Sequence, residues 1–167
     1  MTRRGLLSAA LAFTGTTVGA DRACDEFAQR IFMRINELRV SRGVNALIWS
    51  RDLGRCALEQ SIRKEQLRFP GHTDPERGGV SERLNAAGIQ WARCGENVFQ
   101  ERGYDDPVHF AVVFWWYSPG HQENMLNPEY TLTGLGVTKG HDGTFFVTQI
   151  FTLPLLSRGP GRQVTPR

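Results

Sequence analysis

The 167-residue chain is long enough for one domain with its own core, and its 40% apolar and 22% charged side chains are those of a globular protein. Twenty basic residues against 17 acidic ones give a formal charge of +3, but Arg3, Arg4, Arg158, Arg162 and Arg167 hold five of the basic charges at the two ends. The body between them is weakly acidic, which excludes the basic footprint of a nucleic-acid binder.

Residues 1–20 read as an export signal. Arg3-Arg4 precede a short apolar stretch from Leu6 to Phe13, and Val18-Gly19-Ala20 offers a small-residue cleavage site. The mature chain then begins near Asp21 and is periplasmic or extracellular. "TRRGLL" leaves the twin-arginine and the ordinary secretory routes both open. No segment of the mature chain is apolar enough to span a bilayer. The expected domain covers 21–153, and the Pro-, Gly- and Arg-rich stretch 154–167 reads as a loose tail.

In "CDEFAQRIFMRINELRVSRG", Phe27, Ile31, Ile35 and Leu38 recur at helical spacing, and Gly43 supplies the stop. "VNALIWS" reads as a short apolar link. Ser50 caps a second helix, whose inward residues are expected to be Leu53, Ala57, Ile62 and Leu58, and Pro70-Gly71 ends it. Gly71 to Arg93 is polar and Gly-rich, with a short helix over "SERLNAAG". So long an irregular segment in a compact domain points to function. Val98 and Phe99 predict a short extended piece. "DDPVHFAVVFWWY" predicts a third main helix, apolar nearly all round and therefore buried on most sides. Ser118 then caps a new helix, with Pro119 first and His121 third. "TGLGVTKGHDGTFFVTQIFTL" reads as a hairpin turning at "KGHDG". Helices alternating with antiparallel strands that are not adjacent in sequence make an α+β layered domain.

Cys24, Cys56 and Cys94 allow three different single disulfides, each leaving one thiol over, and sequence does not choose among them. There is no Cys-x-x-Cys pair.

Three residues stand out for chemistry: His72 in "FPGHTD", Glu96 in "CGENV" and His121 in "SPGHQEN". All lie in loops or at element edges. Two imidazoles and a carboxylate suffice to hold one divalent metal such as zinc with an open position, or to move protons. His121 faces the positive end of its helix dipole, which disfavours the imidazolium and keeps the ring ready for a metal or a proton. The structural alternative is that Glu96 and Asn97 satisfy backbone groups and the histidines bond to them. His109 is expected to be packed or hydrogen-bonded in its helix, His141 solvated in its turn, and the cluster of Phe110, Phe114, Trp115 and Trp116 to be core.

Asn36-Glu37-Leu38-Arg39, "GHTD", "SERLNAAGIQWARCGENV", "WWYSPGHQENML", "GLGV" and "FFVTQIF", in that order, resemble the bacterial branch of the CAP superfamily of cysteine-rich secretory, antigen 5 and pathogenesis-related proteins. The resemblance covers Glu26 to Leu153. It implies a three-layer α-β-α sandwich with a small antiparallel sheet between helices, and a central cleft at which His72, Glu96 and His121 match the lining positions. Animal and plant members carry a second Glu after a Trp-Tyr-Ser stretch. Here Pro119 follows Trp116-Tyr117-Ser118, so that acid is missing, and Glu123 is the candidate to replace it. Arg83, at a matching position, is expected to tie the long loop down, with Asn97 in support. The resemblance leaves three roles open. One is an exported domain binding a small ligand, lipid or cell-envelope component. The second is a metal-dependent hydrolase acting on peptides or envelope polymers. The third is a partner-binding module whose histidine cluster is structural.

Overall fold

The computed structural model describes residues 17–104 and 106–155, with side chains from residue 22 onward. Most of the expected signal and tail segments lie outside those residues. Among the described residues no helix is long and apolar enough to cross a membrane.

Helix α1 (Thr17–Ser41) buries Ala28, Ile31 and Ile35, three or four residues apart, and Gly43 at φ 72° takes the chain out of it. The Asn-x-x-Arg signature near its end is a hydrogen-bonding device. Asn36 bonds Leu47 twice, through Nδ2 to O at 3.0 Å and Oδ1 from N at 2.8 Å. Arg39 is fully buried, forms no ion pair among the described residues, and donates to the carbonyls of Asn45, Met125, Asn127 and Tyr130 at 2.8–3.1 Å. Four carbonyl dipoles replace the water that a guanidinium loses on burial.

The "VNALIWS" link contains β1 (Ile48–Trp49), which pairs in parallel with β3 (Leu132–Lys139). β3 pairs antiparallel with β4 (Phe145–Leu153), and β4 pairs antiparallel with β2 (Arg93–Glu101). The sheet order is β1-β3-β4-β2. It is antiparallel except at β1, and β2 is a nine-residue edge strand rather than a short extended piece.

Helix α2 (Arg51–Leu67) covers one face, starting at Ser50, whose hydroxyl accepts from Leu53 N. Its inward residues correct the sequence expectation. Leu53, Cys56, Ala57, Gln60, Ser61 and Lys64 are buried, whereas Leu58 and Ile62 point outward. The reason lies in β3. A Cβ on Gly134 would overlap the backbone of Leu53 and Gly54, and one on Gly136 would overlap that of Ala57 and Leu58. The helix therefore rides directly on the strand, along a stripe of small or hydrogen-bonding residues. The Ser61 hydroxyl lies 2.9 Å from both Gly136 O and Thr148 Oγ1. α3 (Val80–Ala86) packs beside α2 against β2.

On the other face lie α1, α4 (Pro107–Tyr117) and α5 (Pro119–Leu126), around a core that includes Trp115, Met125, Tyr130 and Phe151. The result is a three-layer α-β-α sandwich. α4 is not buried on most sides as its composition predicts. Ala111, Val112 and Trp115 face inward, but Phe114 is 50% and Tyr117 81% exposed. His109 is exposed rather than packed inside, and touches only the edge of the Phe110 ring among its aromatic neighbours. His141 is exposed in the hairpin turn, as expected. Cys56 is buried and Cys94 half-buried, both at the second core formed by Leu53, Ala57, Leu84 and Ile150, and burial raises both thiol pKa values.

Candidate functional site

The free edge of β2 is where the site is built. Successive side chains of a strand point to opposite faces. Glu96, opposite Ile150, points to the α2–α3 side, and Asn97, opposite Gln149, to the α5 side. α4 and α5 then close the edge itself: Trp115 Nε1 donates to Val98 O at 2.9 Å, and Asn124 Nδ2 to Glu96 O at 3.2 Å. An edge strand with its carbonyls so engaged is protected from pairing with another chain.

Glu96 is the hub. Its side chain is 2% exposed. Oε1 lies 3.0 Å from His72 Nδ1, and Oε2 accepts from Nη2 of Arg83 on α3. With a carboxylate on Nδ1, His72 donates from that nitrogen, and Nε2 stands outside the pair. The main chain around His72 is fixed independently. Arg83 Nη1 donates to His72 O and Gly78 O, and Gln60 Nε2 to His72 O. Lys64 Nζ, on the buried side of α2, donates to Phe69 O at 3.0 Å and Gly71 O at 2.7 Å. Asp74 completes the loop by accepting from Arg63 and from the backbone N–H groups of Glu76 and Arg77. The Arg63 hydrogen bonds hold the Asp74 carboxyl far below the usual carboxylate range, and those backbone donors reinforce them.

His121 comes from the other side of the edge. It is the third residue of α5, as its sequence position predicts. The Ser118 hydroxyl does not cap the backbone. It bonds the ring instead, with Nδ1 2.9 Å from Oγ. The ring packs against Phe114 and His72, with both centroid separations at 5.7 Å. Burial lowers the His121 pKa from 6.5, and the charge of His72 lowers it further. Asn97 Nδ2 donates to His121 O at 3.1 Å, and Asn97 Oδ1 accepts from Asn124 at 3.0 Å. Gly95 makes room for this network, since a Cβ there would stand 2.6 Å from both Asn124 Oδ1 and the Tyr130 hydroxyl.

His72, Glu96, His121, Arg83 and Asn97 thus meet at one strand edge. Glu123 does not join them: it is exposed and makes none of these hydrogen bonds. Asn124, Lys64, Gln60 and the Ser118 hydroxyl were not singled out from sequence. Asn124 carried a usable signal, three residues after His121 and so on the same helix face. Lys64 carried none, because a lysine on an amphipathic helix ordinarily faces water. Phe114, expected in the core, is instead half-exposed beside His121.

The arrangement has a definite chemical capacity. Among the described residues no cluster of three His, Cys, Asp or Glu is arranged around one point. Both oxygens of Glu96 are engaged. Two imidazoles are left. A tetrahedral zinc with bonds of about 2.0–2.1 Å would set two ring centres roughly 5 Å apart; His72 and His121 stand at 5.7 Å. The ring separation is thus close to what a shared cation would need, and Glu96 and Ser118 each hold one ring at Nδ1.

Residues 32–151 match the sequence profile of the cysteine-rich secretory protein family, CAP. The chain is 27% identical over 123 residues to YkwD of Bacillus subtilis, covering 74% of this chain and 47% of YkwD. It is 29% identical over 104 residues to the membrane protein YlbC of the same organism, covering 62% of this chain and 29% of YlbC. The chain thus spans half or less of the length of these relatives. Among solved structures, it superposes on an extracellular SCP-domain protein of Bacillus anthracis with a TM-score of 0.70 at 27% identity, over 84% of this chain and 45% of that one. It also superposes on an outer surface protein of Borrelia burgdorferi with a TM-score of 0.71 at 21% identity, over 78% and 94% of the two chains, a likeness of fold. With the profile spanning most of the described domain and the fold agreeing, the chain belongs to the cysteine-rich secretory protein (CAP) family.

Proposed function

We propose that this chain is an exported binding domain whose His72–Glu96–His121 cleft holds a divalent cation such as zinc, and through it a small ligand, lipid or cell-envelope component. The observation that carries the proposal is the meeting of the two rings, each held at one nitrogen. Each Nδ1 has its own partner, Glu96 or Ser118, and the rings stand 5.7 Å apart. Neither Nε2 takes part in those hydrogen bonds, and a common guest would take both. Such a cation would supply a Lewis-acid contact for an oxygen-rich ligand. Export is supported by the extracellular and outer-surface relatives and by the signal-like residues 1–20.

Binding is favoured over turnover by the state of Glu96. A general base needs an oxygen free to take a proton, and both of its oxygens are engaged, one of them by a buried arginine.

Calorimetric titration of the purified chain with zinc chloride at neutral pH tests the proposal. One site per chain is expected, abolished in His72→Ala and in His121→Ala and weakened about 10–100-fold in Ser118→Ala. Zinc binding that is absent, or unchanged in the double histidine variant, would assign the cluster to scaffolding. Washed envelope fragments should sediment the wild-type chain and not the double variant.

A further inference from the structure

The outer edge of β3 is only partly used. β1 pairs with it at Leu132 and Thr133 and then leaves through Ser50 into α2, so Gly134 to Lys139 have no described strand on that side. Backbone bonds from Ile48 N to Thr131 O and from Ser50 N to Thr133 O show which main-chain groups face outward. The direction alternates along a strand, so the next outward groups belong to Leu135 and Val137, while Gly134 and Gly136 turn theirs to β4. Among the described residues, neither the outward N–H nor the outward carbonyl of Leu135 or Val137 has a hydrogen-bond partner. Main-chain groups at such depth are ordinarily paired.

A groove of about 460 Å³ runs along this edge. Leu135, Gly136 and Val137 form its floor, Ala28 of α1 stands on one side, and Gly54 and Leu58 of α2 on the other. It continues the plane of the sheet past the end of β1, with a helix above and a helix below. The Leu135 carbonyl oxygen stands 3.7 Å from where a Cβ on Gly54 would lie, which sets it at the foot of the α2 wall. Of the charged residues that line the groove, Arg55 is paired with Asp52, but Arg51 and Asp25 form no ion pair among the described residues. Arg51 follows Ser50 and so sits at the Thr133 end. Asp25 lies toward the Lys139 end, because Phe27 packs on Phe145, the strand partner of Lys139.

We propose that this groove takes an extended peptide segment as an added strand, antiparallel to β3, with a basic residue at the Asp25 end and an acidic one at the Arg51 end. Its main chain exchanges hydrogen bonds with Leu135 and Val137 and so carries on the pairing that β1 begins. A compact ligand or an acyl chain cannot match a repeating row of donors and acceptors, whereas a strand does. The site is separate from the histidine cleft, which is built at β2 on the opposite edge of the sheet.

The test uses the hexapeptide Lys-Thr-Val-Thr-Val-Glu, amidated and carrying fluorescein at its N-terminus, titrated by fluorescence anisotropy. Saturable binding at one site per chain is expected. N-methylation of the two threonines removes one row of N–H groups, and N-methylation of the two valines removes the other. One of these peptides should bind at least about tenfold more weakly and the other within about twofold of the parent. Exchanging the terminal Lys and Glu should weaken the probe about threefold, and the Asp25→Lys/Arg51→Asp double variant should reverse that preference. Gly54→Val and Leu58→Asp, on the α2 wall, should each weaken binding about tenfold, with folding checked by circular dichroism. In proton–nitrogen spectra the Leu135 and Val137 amides should shift with the probe, and the His72→Ala/His121→Ala variant should bind it as wild type does. No saturable binding, equal loss from both methylated peptides, or full binding by both wall variants would overturn the proposal. So would dimerisation through the same amides that the probe leaves undisturbed, which would make the edge an interface between copies of the chain.

Discussion

His121 shows how one side chain can be prepared for a ligand by its setting. Burial and the neighbouring His72 both oppose its protonation, so its folded pKa lies below 6.5. The unfolded chain then binds a proton more readily than the folded one as pH drops. Stability attached to this ring is complete above about pH 6.5 and drains away as pH falls from there toward the lower folded value. Urea denaturation at pH 7 and pH 5 should show the midpoint falling, and His121→Gln should flatten that difference. A His121→Gln variant with an unchanged pH dependence would refute the assignment. At this scale the sequence was informative about which residues meet. His72, Glu96 and His121 sit in short Pro- and Gly-marked strings that stand out from the rest of the chain. Their supporters were harder to read. Lys64 and Gln60 act on carbonyls of a loop that passes beneath them, and no spacing rule encodes that. The Ser118 hydroxyl was expected on the backbone and goes to the imidazole.

The fit of α2 on β3 decides where the elements sit. Gly134 and Gly136 have no side chain because the helix backbone occupies that space. Gly134→Ala should cost on the order of 3 kcal/mol in denaturant unfolding, because the overlap is with backbone and no rotamer relieves it. A cost under about 0.5 kcal/mol would contradict so close a contact. The same fit explains why apolar spacing failed on α2. Hydrophobic periodicity assumes that the buried stripe is apolar. Here the stripe must be small, and its polar members Gln60, Ser61 and Lys64 are held by hydrogen bonds, so Leu58 and Ile62 are left outside. α4 failed in the opposite sense. Its unbroken apolar run predicts burial on most sides, yet Phe114 is half-exposed beside His121 and Tyr117 lies in solvent.

Three layers, a hairpin and a long irregular segment were legible in the whole chain, from periodicity, turn residues and the family resemblance. The strand order was not, because two helices and strand β3 separate β2 from β4 along the chain. What lets the long segment serve a site is its anchoring. The Asp74 side chain is fully buried and takes four hydrogen bonds, two of them from Arg63. A carboxyl held below its ordinary 3.8 contributes stability above that pH and loses it as pH falls toward the folded value. Asp74→Asn should therefore loosen residues 70–79 before the sheet. Amide exchange is expected to rise locally in that segment at neutral pH while β3 and β4 stay protected. Uniform acceleration across the domain, or none in the loop, would contradict a separate anchor.

Two rings from opposite sides of one strand edge should serve a single guest. Anomalous diffraction at the zinc edge from crystals grown with stoichiometric zinc addresses that directly. The predicted result is one strong peak about 2.0–2.1 Å from Nε2 of both His72 and His121, with Glu96 still on His72 Nδ1. Zinc found only at surface side chains such as His109 or His141, with the cleft rings turned apart, would contradict it.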